Sequence, residues 1–285
     1  MANQLDSLKG WNPSGPGKLA SGASCPTISV SSGKGGVGKS HLTLSVGLAL
    51  ADLGKRVLLI DGDMGLANLH ILCGTYPEHD IEDILAGRCR PEEALLPIGT
   101  GIDLLPSASG VANLSSLPAS RIDELGRALS GLQADYDYIL VDTGAGIGET
   151  TMNLVLASDR LLLVTTQEPT AQADAYAFLK VMRSHRQDLP AHLCVNMGSS
   201  EEEAVQAGMR LSQVSARFLG WEPTFVGWIP RQAGLERFTL ERRPAFRASP
   251  DGVFARAVRQ LAREVVRDLA GGGPDFFARL SGTRG

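Results

Sequence analysis

Residues 33–40 read Gly33-Lys34-Gly35-Gly36-Val37-Gly38-Lys39-Ser40. This satisfies G-x-x-x-x-G-K-[ST], a pattern that demands a strand before it and a helix after it. Glycines let the backbone bend until its N–H groups point inward at phosphate oxygens. The following helix adds the partial positive charge of its N-terminus. The flanks comply. "TISVSS", 27–32, is a short β-branched run, and "HLTLSVGLALADLG", 41–54, has helical length and closes on Gly54. Lys39 is expected to reach the β- and γ-phosphates of a nucleotide, and the Ser40 hydroxyl to ligate Mg²⁺. Lys34 is a second cation, five residues before Lys39, that the pattern does not require.

Further apolar runs follow at 56–63, 101–107, 136–146, 160–169, 191–197 and 225–230, with helical stretches between most of them. Continuous apolar strands alternating with helices predict an α/β fold: a mostly parallel central sheet covered by helices on both faces. Ligands of such sheets bind at the carboxyl ends of the strands. Asp61, Asp63, Asp142, Thr143 and Asn196 end their runs and are therefore expected to converge on one edge. Residues 1–26, rich in Gly, Ser and Pro toward their end, read as a flexible lead-in. Residues 27–270 read as one P-loop domain and 271–285 as a tail.

The net charge of −4 gives no support to wholesale nucleic-acid binding. Four scattered cysteines, none in a C-x-x-C pair, suit a reducing compartment and supply no zinc or redox motif. With no apolar signal core at the start and no membrane-spanning run, the reading is a cytoplasmic protein.

Asp142 ends a strand as an acid near a nucleotide-bound metal must, and Asp61 and Asp63 end another; strand-terminal capping is the plain alternative for these acids. Lys34 also admits two readings. One is a solvated surface charge. The other is a cation that points away from its own nucleotide toward that of a facing subunit, so that hydrolysis depends on dimerisation.

"KGGVGKS" resembles the deviant Walker A motif of the MinD/ParA group, within the SIMIBI class of P-loop NTPases. "LLIDGDMGLANLHILCG", 58–74, is similar to its switch I, and "ILVDTGAGIGETTMNLVLASD", 139–159, to its switch II. With "TTQEPTAQADAYAFLK", 165–180, the D-T-G-A-G-I form most resembles the flagellar-number regulators of the FlhG/FleN (YlxH) family. The resemblance implies an ATPase that uses ATP and Mg²⁺ and closes as an ATP-sandwiched homodimer, with Lys34 contacting the partner's nucleotide. It implies that Asp63 orients the attacking water and that Asp61 helps hold Mg²⁺ through water. "GWIPRQ", 227–232, matches the adenine-side loop, so Asn196 and the backbone of Pro230 and Arg231 are expected around the base. His41 follows Ser40 where many relatives have Thr, and Gln232 stands where an acid is common.

"NQLDSLK", 3–9, resembles the D-Q-A-x-x-L-R segment with which the family activates the GTPase FlhF; Gln4 is its candidate residue, and an inert tail is the alternative. FlhF and a flagellar transcription regulator or switch-complex protein are the implied partners. "GVFARAVRQLAREVVRDLA", 252–270, is amphipathic, with Phe254, Val258, Leu261, Val265 and Leu269 on one stripe and arginines opposite; it is expected to be the last core helix, with a basic surface for anionic lipid or DNA as the alternative. Phe276, Phe277 and Leu280 in the tail suggest a short membrane-contact segment, as in the C-terminal helices of this family, acting at the cell pole. A ParA-like partition ATPase binding nonspecific DNA and a regulator of cellulose synthesis are alternatives. A cluster carrier like the nitrogenase iron protein or the Mrp scaffold is disfavoured, because the cysteines do not fall at the matching loops.

Overall fold

A computed structural model describes residues 25–63, 67–107, 119–269 and 275–282. Gln4 and its motif lie outside them. In chain order the strands are β1 (Thr27–Ser32), β2 (Val57–Gly62), β3 (Leu96–Gly99), β4 (Ile102–Leu105), β5 (Tyr138–Ala145), β6 (Arg160–Thr165), β7 (Ala191–Gly198) and β8 (Thr224–Pro230). The helices are α1 (Lys39–Asp52), α2 (Leu69–Cys73), α3 (Ile81–Leu85), α4 (Ala119–Leu129), α5 (Glu149–Ala157), α6 (Pro169–His185), α7 (Glu201–Leu219), α8 (Leu235–Leu240), α9 (Ala245–Ala248), α10 (Val253–Val266) and α11 (Phe276–Leu280).

The strands form one sheet in the order β3-β4-β2-β5-β1-β6-β7-β8. Every pairing is parallel except β3 with β4. The central strands are buried on both faces, and their side chains alternate between two layers. Leu140 of β5 and Leu162 and Val164 of β6 face α1 and α10. Ile139 and Val141 of β5 face α3, α4, α5 and α11, and Leu161 and Leu163 of β6 face α6. This is the mostly parallel, doubly covered sheet that the apolar runs predict. The sequence did not reveal β3, a four-residue antiparallel edge strand that contains Pro97; a run this short and half-exposed carries no continuous apolar signal.

Helix α10 buries Phe254, Val258, Leu261 and Val265, as its periodicity predicts. Three arginines on its outer side or just past its end are engaged locally: the Arg256 guanidinium donates to the Asp251 carbonyl, Arg259 to the Pro250 carbonyl at 2.6 Å, and Arg267 pairs with Glu264 at 2.5 Å.

The expectation of an exposed apolar tail is overturned. Phe276, Phe277 and Leu280 are 1%, 1% and 7% exposed and belong to the core beneath β2 and β5. Three features hold α11 there. Gly126 of α4 has no Cβ, and one would stand 2.5 Å from the Phe277 carbonyl oxygen. Gln133 donates to Asp275 at 2.7 Å. Arg279 pairs with Asp159 at 2.6 Å, and the other oxygen of Asp159 accepts from the Thr27 N–H at 2.8 Å, tying the last helix to the first strand. The domain therefore runs past 270, and this short helix offers no free apolar face. Among the described residues, no helix is long and apolar enough to cross a membrane.

His192 on β7 is 9% exposed. Burial first, and Arg160 second, push its pKa down from 6.5 to about 4. The unfolded chain thus takes up a proton that the fold refuses. The associated stability is complete above pH 6.5 and is lost as pH falls from there through about 4. His192→Gln should flatten this part of the pH–stability curve, by roughly 2 kcal/mol after allowance for partial solvent access, as read by urea melts at pH 7.5 and pH 4.5. Phe277→Ala should destabilise the protein by about 3–5 kcal/mol in the same melts, because it opens a cavity in a packed layer. A free tail would give no change.

Candidate functional site

The glycine pattern places the P-loop between β1 and α1. Gly38, at φ 81°, turns the chain into α1. Gly33 runs so close to α6 that a Cβ would lie 2.3 Å from the Asp174 carbonyl carbon. These two glycines fix where the loop can lie.

Lys39 opens α1 and points inward. Its Nζ is 2.8 Å from Asp142 Oδ1, with side-chain exposures of 8% and 1%. Thr43, one turn along α1, donates to the same oxygen at 3.0 Å. Asp142 reaches this position because β5 pairs with β1 in a register that sets it beside Val30. Its other oxygen, Oδ2, is buried with no hydrogen-bond partner. On the neighbouring strand Asp61 stands directly opposite Asp142. Asp61 Oδ1 accepts from the Asp63 N–H at 3.2 Å, and Oδ2 from those of Asn68 and Leu69 at 3.0 and 3.1 Å. Asp61 thus anchors the segment that follows β2. Burial, and then the Asp142 charge, raise its pKa well above the carboxylate range, against those three backbone bonds. Asp63 follows directly, and its carboxylate lies toward the bare backbone of Gly144 in β5.

Lys34 points elsewhere. Its Nζ lies 2.8 Å from Glu168 Oε2 and 3.1 Å from Thr170 Oγ1, on the exposed side of the loop. Two crevices flank the P-loop, and Met197 lines both. One is lined by Gly38, His41, Asn196, Pro230 and Phe254 among others; the other is a polar cleft with Lys34, Gly35, Gly36, Glu168 and Arg231.

The residues expected around a base are therefore divided. His41, Asn196 and Pro230 share the first crevice, whereas Arg231 lines the cleft beside Lys34. Asn196 is also partly committed: its amide donates to the Val37 carbonyl at 2.8 Å, so it braces the P-loop and leaves its carbonyl side for a ligand. The His41 ring bonds Thr239 of α8 at 3.3 Å, and burial lowers its pKa. Sequence reasoning did not single out Thr43, Glu168 or Thr170. Their partners lie about a hundred or more residues away, and no local spacing marks them.

The residues fit a magnesium ion that arrives with phosphates. Mg²⁺ commonly takes one or two carboxylates and completes its shell with water and phosphate oxygens. The unpartnered Asp142 oxygen, the adjacent Asp61 and the Ser40 hydroxyl make such a partial set. Among the described residues, no group of three or more His, Cys, Asp and Glu could hold a metal without such help. The cysteines are unpaired, two of them fully buried, and form no ligand cluster.

Gly33→Ala tests the loop's placement. The new methyl would drive the loop off the α6 backbone, and Mg·ATP affinity should fall at least tenfold, about 1.4 kcal/mol, by calorimetry, with the circular dichroism spectrum retained.

A family model described as an AAA domain matches residues 25–195. The chain is 35% identical over 238 residues to the antiactivator FleN of Pseudomonas aeruginosa, covering 84% of this chain and 85% of that protein. It is 33% identical over 262 residues to the flagellum site-determining protein YlxH of Helicobacter pylori, covering 89% and 88%. The septum site-determining protein MinD of Pyrococcus horikoshii, solved with Mg-ADP, superposes with a TM-score of 0.72 at 27% identity over 86% of this chain and 98% of that one. By these similarities and the site they surround, the chain belongs to the MinD/ParA-type family of P-loop ATPases.

Proposed function

We propose that this chain is an ATP-driven switch that controls flagellar number or placement, as its similarity to FleN and YlxH suggests. ATP binding closes two copies over two nucleotides, the closed pair engages a flagellar partner, and hydrolysis resets it. The observation that carries this reading is the opposite placement of two lysines on one loop. Lys39 is held inside, against Asp142. Lys34 stands outside, on the exposed side of the loop, paired with Glu168.

The chemistry follows from these positions. Lys39 exchanges Asp142 for the β- and γ-phosphates, and the P-loop N–H groups hold the remaining oxygens. Ser40 and Asp142, with Asp61 behind them, would hold Mg²⁺, which would supply charge neutralisation at the phosphates. Asp63 accepts a hydrogen bond from the attacking water and aligns it with the γ-phosphorus. The water oxygen bonds to that phosphorus as its bond to the bridging oxygen breaks, and the proton the water gives up leaves with the products, ADP and phosphate. Lys34 of the facing chain stabilises the charge that develops. A lone chain lacks that cation, so turnover is slow until a second chain closes. The proposed partners are the GTPase FlhF, through the segment around Gln4, and a flagellar regulator or switch-complex protein; the proposed place of action is the cytoplasm at the cell pole.

Asp63→Ala should bind ATP as wild type does, lose turnover by about 10²-fold or more, and elute with ATP as a dimer in size-exclusion chromatography. Elution as a monomer would sink the sandwich. Lys34→Ala should keep nucleotide affinity within about twofold while turnover drops by about 10²-fold.

A further inference from the structure

The contact that Lys34 makes on its own chain requires explanation. Its ammonium sits 2.8 Å from the Glu168 carboxylate and 3.1 Å from the Thr170 hydroxyl, at the start of the 17-residue helix α6. A helix N-terminus is a poor place for a cation, because the aligned peptide dipoles are positive there. The neighbouring charge is also unfavourable, since Arg231 lines the same cleft. Gln167 is occupied elsewhere, bonding the Ser199 N–H and hydroxyl at 2.9 and 3.0 Å. Of the groups around the ammonium, Glu168 carries the negative charge that makes the position favourable.

We propose that Glu168 is a positioning residue that parks Lys34 on its own chain until the triphosphate of a second chain draws the ammonium away. This rests on the reading of Lys34 as a group that serves a facing chain. The parked geometry is well supported from below: Gly33 is pressed against the α6 backbone at Asp174, which sets the loop directly against this helix. The pair is accessible, with side-chain exposures of 32% for Lys34 and 66% for Glu168. An ion pair this exposed shifts an equilibrium by a factor of about two to five. That is weak enough for a multiply charged triphosphate to overcome, and sufficient to bias a chain without ATP toward the parked state. Closing a dimer breaks two such pairs, so the bias on the dimerisation constant is the square of that factor, roughly four- to twenty-five-fold.

The test uses the full chain in sedimentation-velocity titrations with Mg²⁺ and a non-hydrolysable ATP analogue. Glu168→Gln should tighten the dimer about four- to twenty-five-fold while fluorescent ADP binds the monomer as before. Glu168→Asp should fall between it and wild type. Thr170→Val, which removes the weaker acceptor, should shift the constant in the same direction by less, and covers the case in which Glu168→Gln folds poorly. In a Lys34→Ala background, Glu168→Gln should have no effect, a null that a merely structural role for Glu168 would not produce. If Glu168→Gln leaves the dimer unchanged or weakens it while Lys34→Ala impairs dimerisation or turnover, parking is wrong and the facing-chain lysine survives. If Lys34→Ala changes neither, both readings fall.

Discussion

The buried pair between Lys39 and Asp142 is the interaction on which the site depends. Either charge alone would sit nearly dry in the protein. Removing one partner of such a pair costs far more than the pair itself contributes, because the other is left desolvated and uncompensated. The pairing therefore couples the P-loop, the first turn of α1 and the end of β5 into one unit, with Thr43 as a third member. The central strand order makes it possible: β1 lies between β5 and β6, and the β1–β5 register delivers the aspartate.

The same register explains the charge of the site. Asp61 and Asp142 face each other on adjacent strands, with the Lys39 ammonium against Asp142. Asp61 is held by three backbone N–H groups, and its pKa is raised first by burial and then by the neighbouring Asp142 carboxylate. A site short of positive charge, with one orphaned carboxylate oxygen, suits a divalent ion carried in by phosphates. The Asp61 carboxylate also anchors Asp63, Asn68 and Leu69 through their backbone N–H groups.

The C-terminal segment shows where pattern reading stops. Two phenylalanines and a leucine in a short helix look the same whether they face a lipid surface or a protein core. Here the bare backbone of Gly126, the Gln133–Asp275 bond and the Asp159–Arg279 pair hold them inside. Asn196 shows a milder form of the same limit. Its place at a strand end was legible, but that its amide braces Val37 depends on how closely β7 approaches the loop.

By itself the sequence determined what rests on local spacing. The glycine pattern, the strand before it, the helix after it and the acids ending β2 and β5 follow from dihedral preference, period and adjacency in the chain. So does the doubly covered parallel sheet, since continuous apolar strands alternating with helices have few other ways to bury themselves. Only the tertiary structure decided the partners: Asp142 for Lys39, Glu168 for Lys34, the core beneath β5 for α11. Those contacts join residues about a hundred or more positions apart, or turn on whether a neighbour lacks a Cβ. They are fixed by strand order and register, which no local window of the chain encodes.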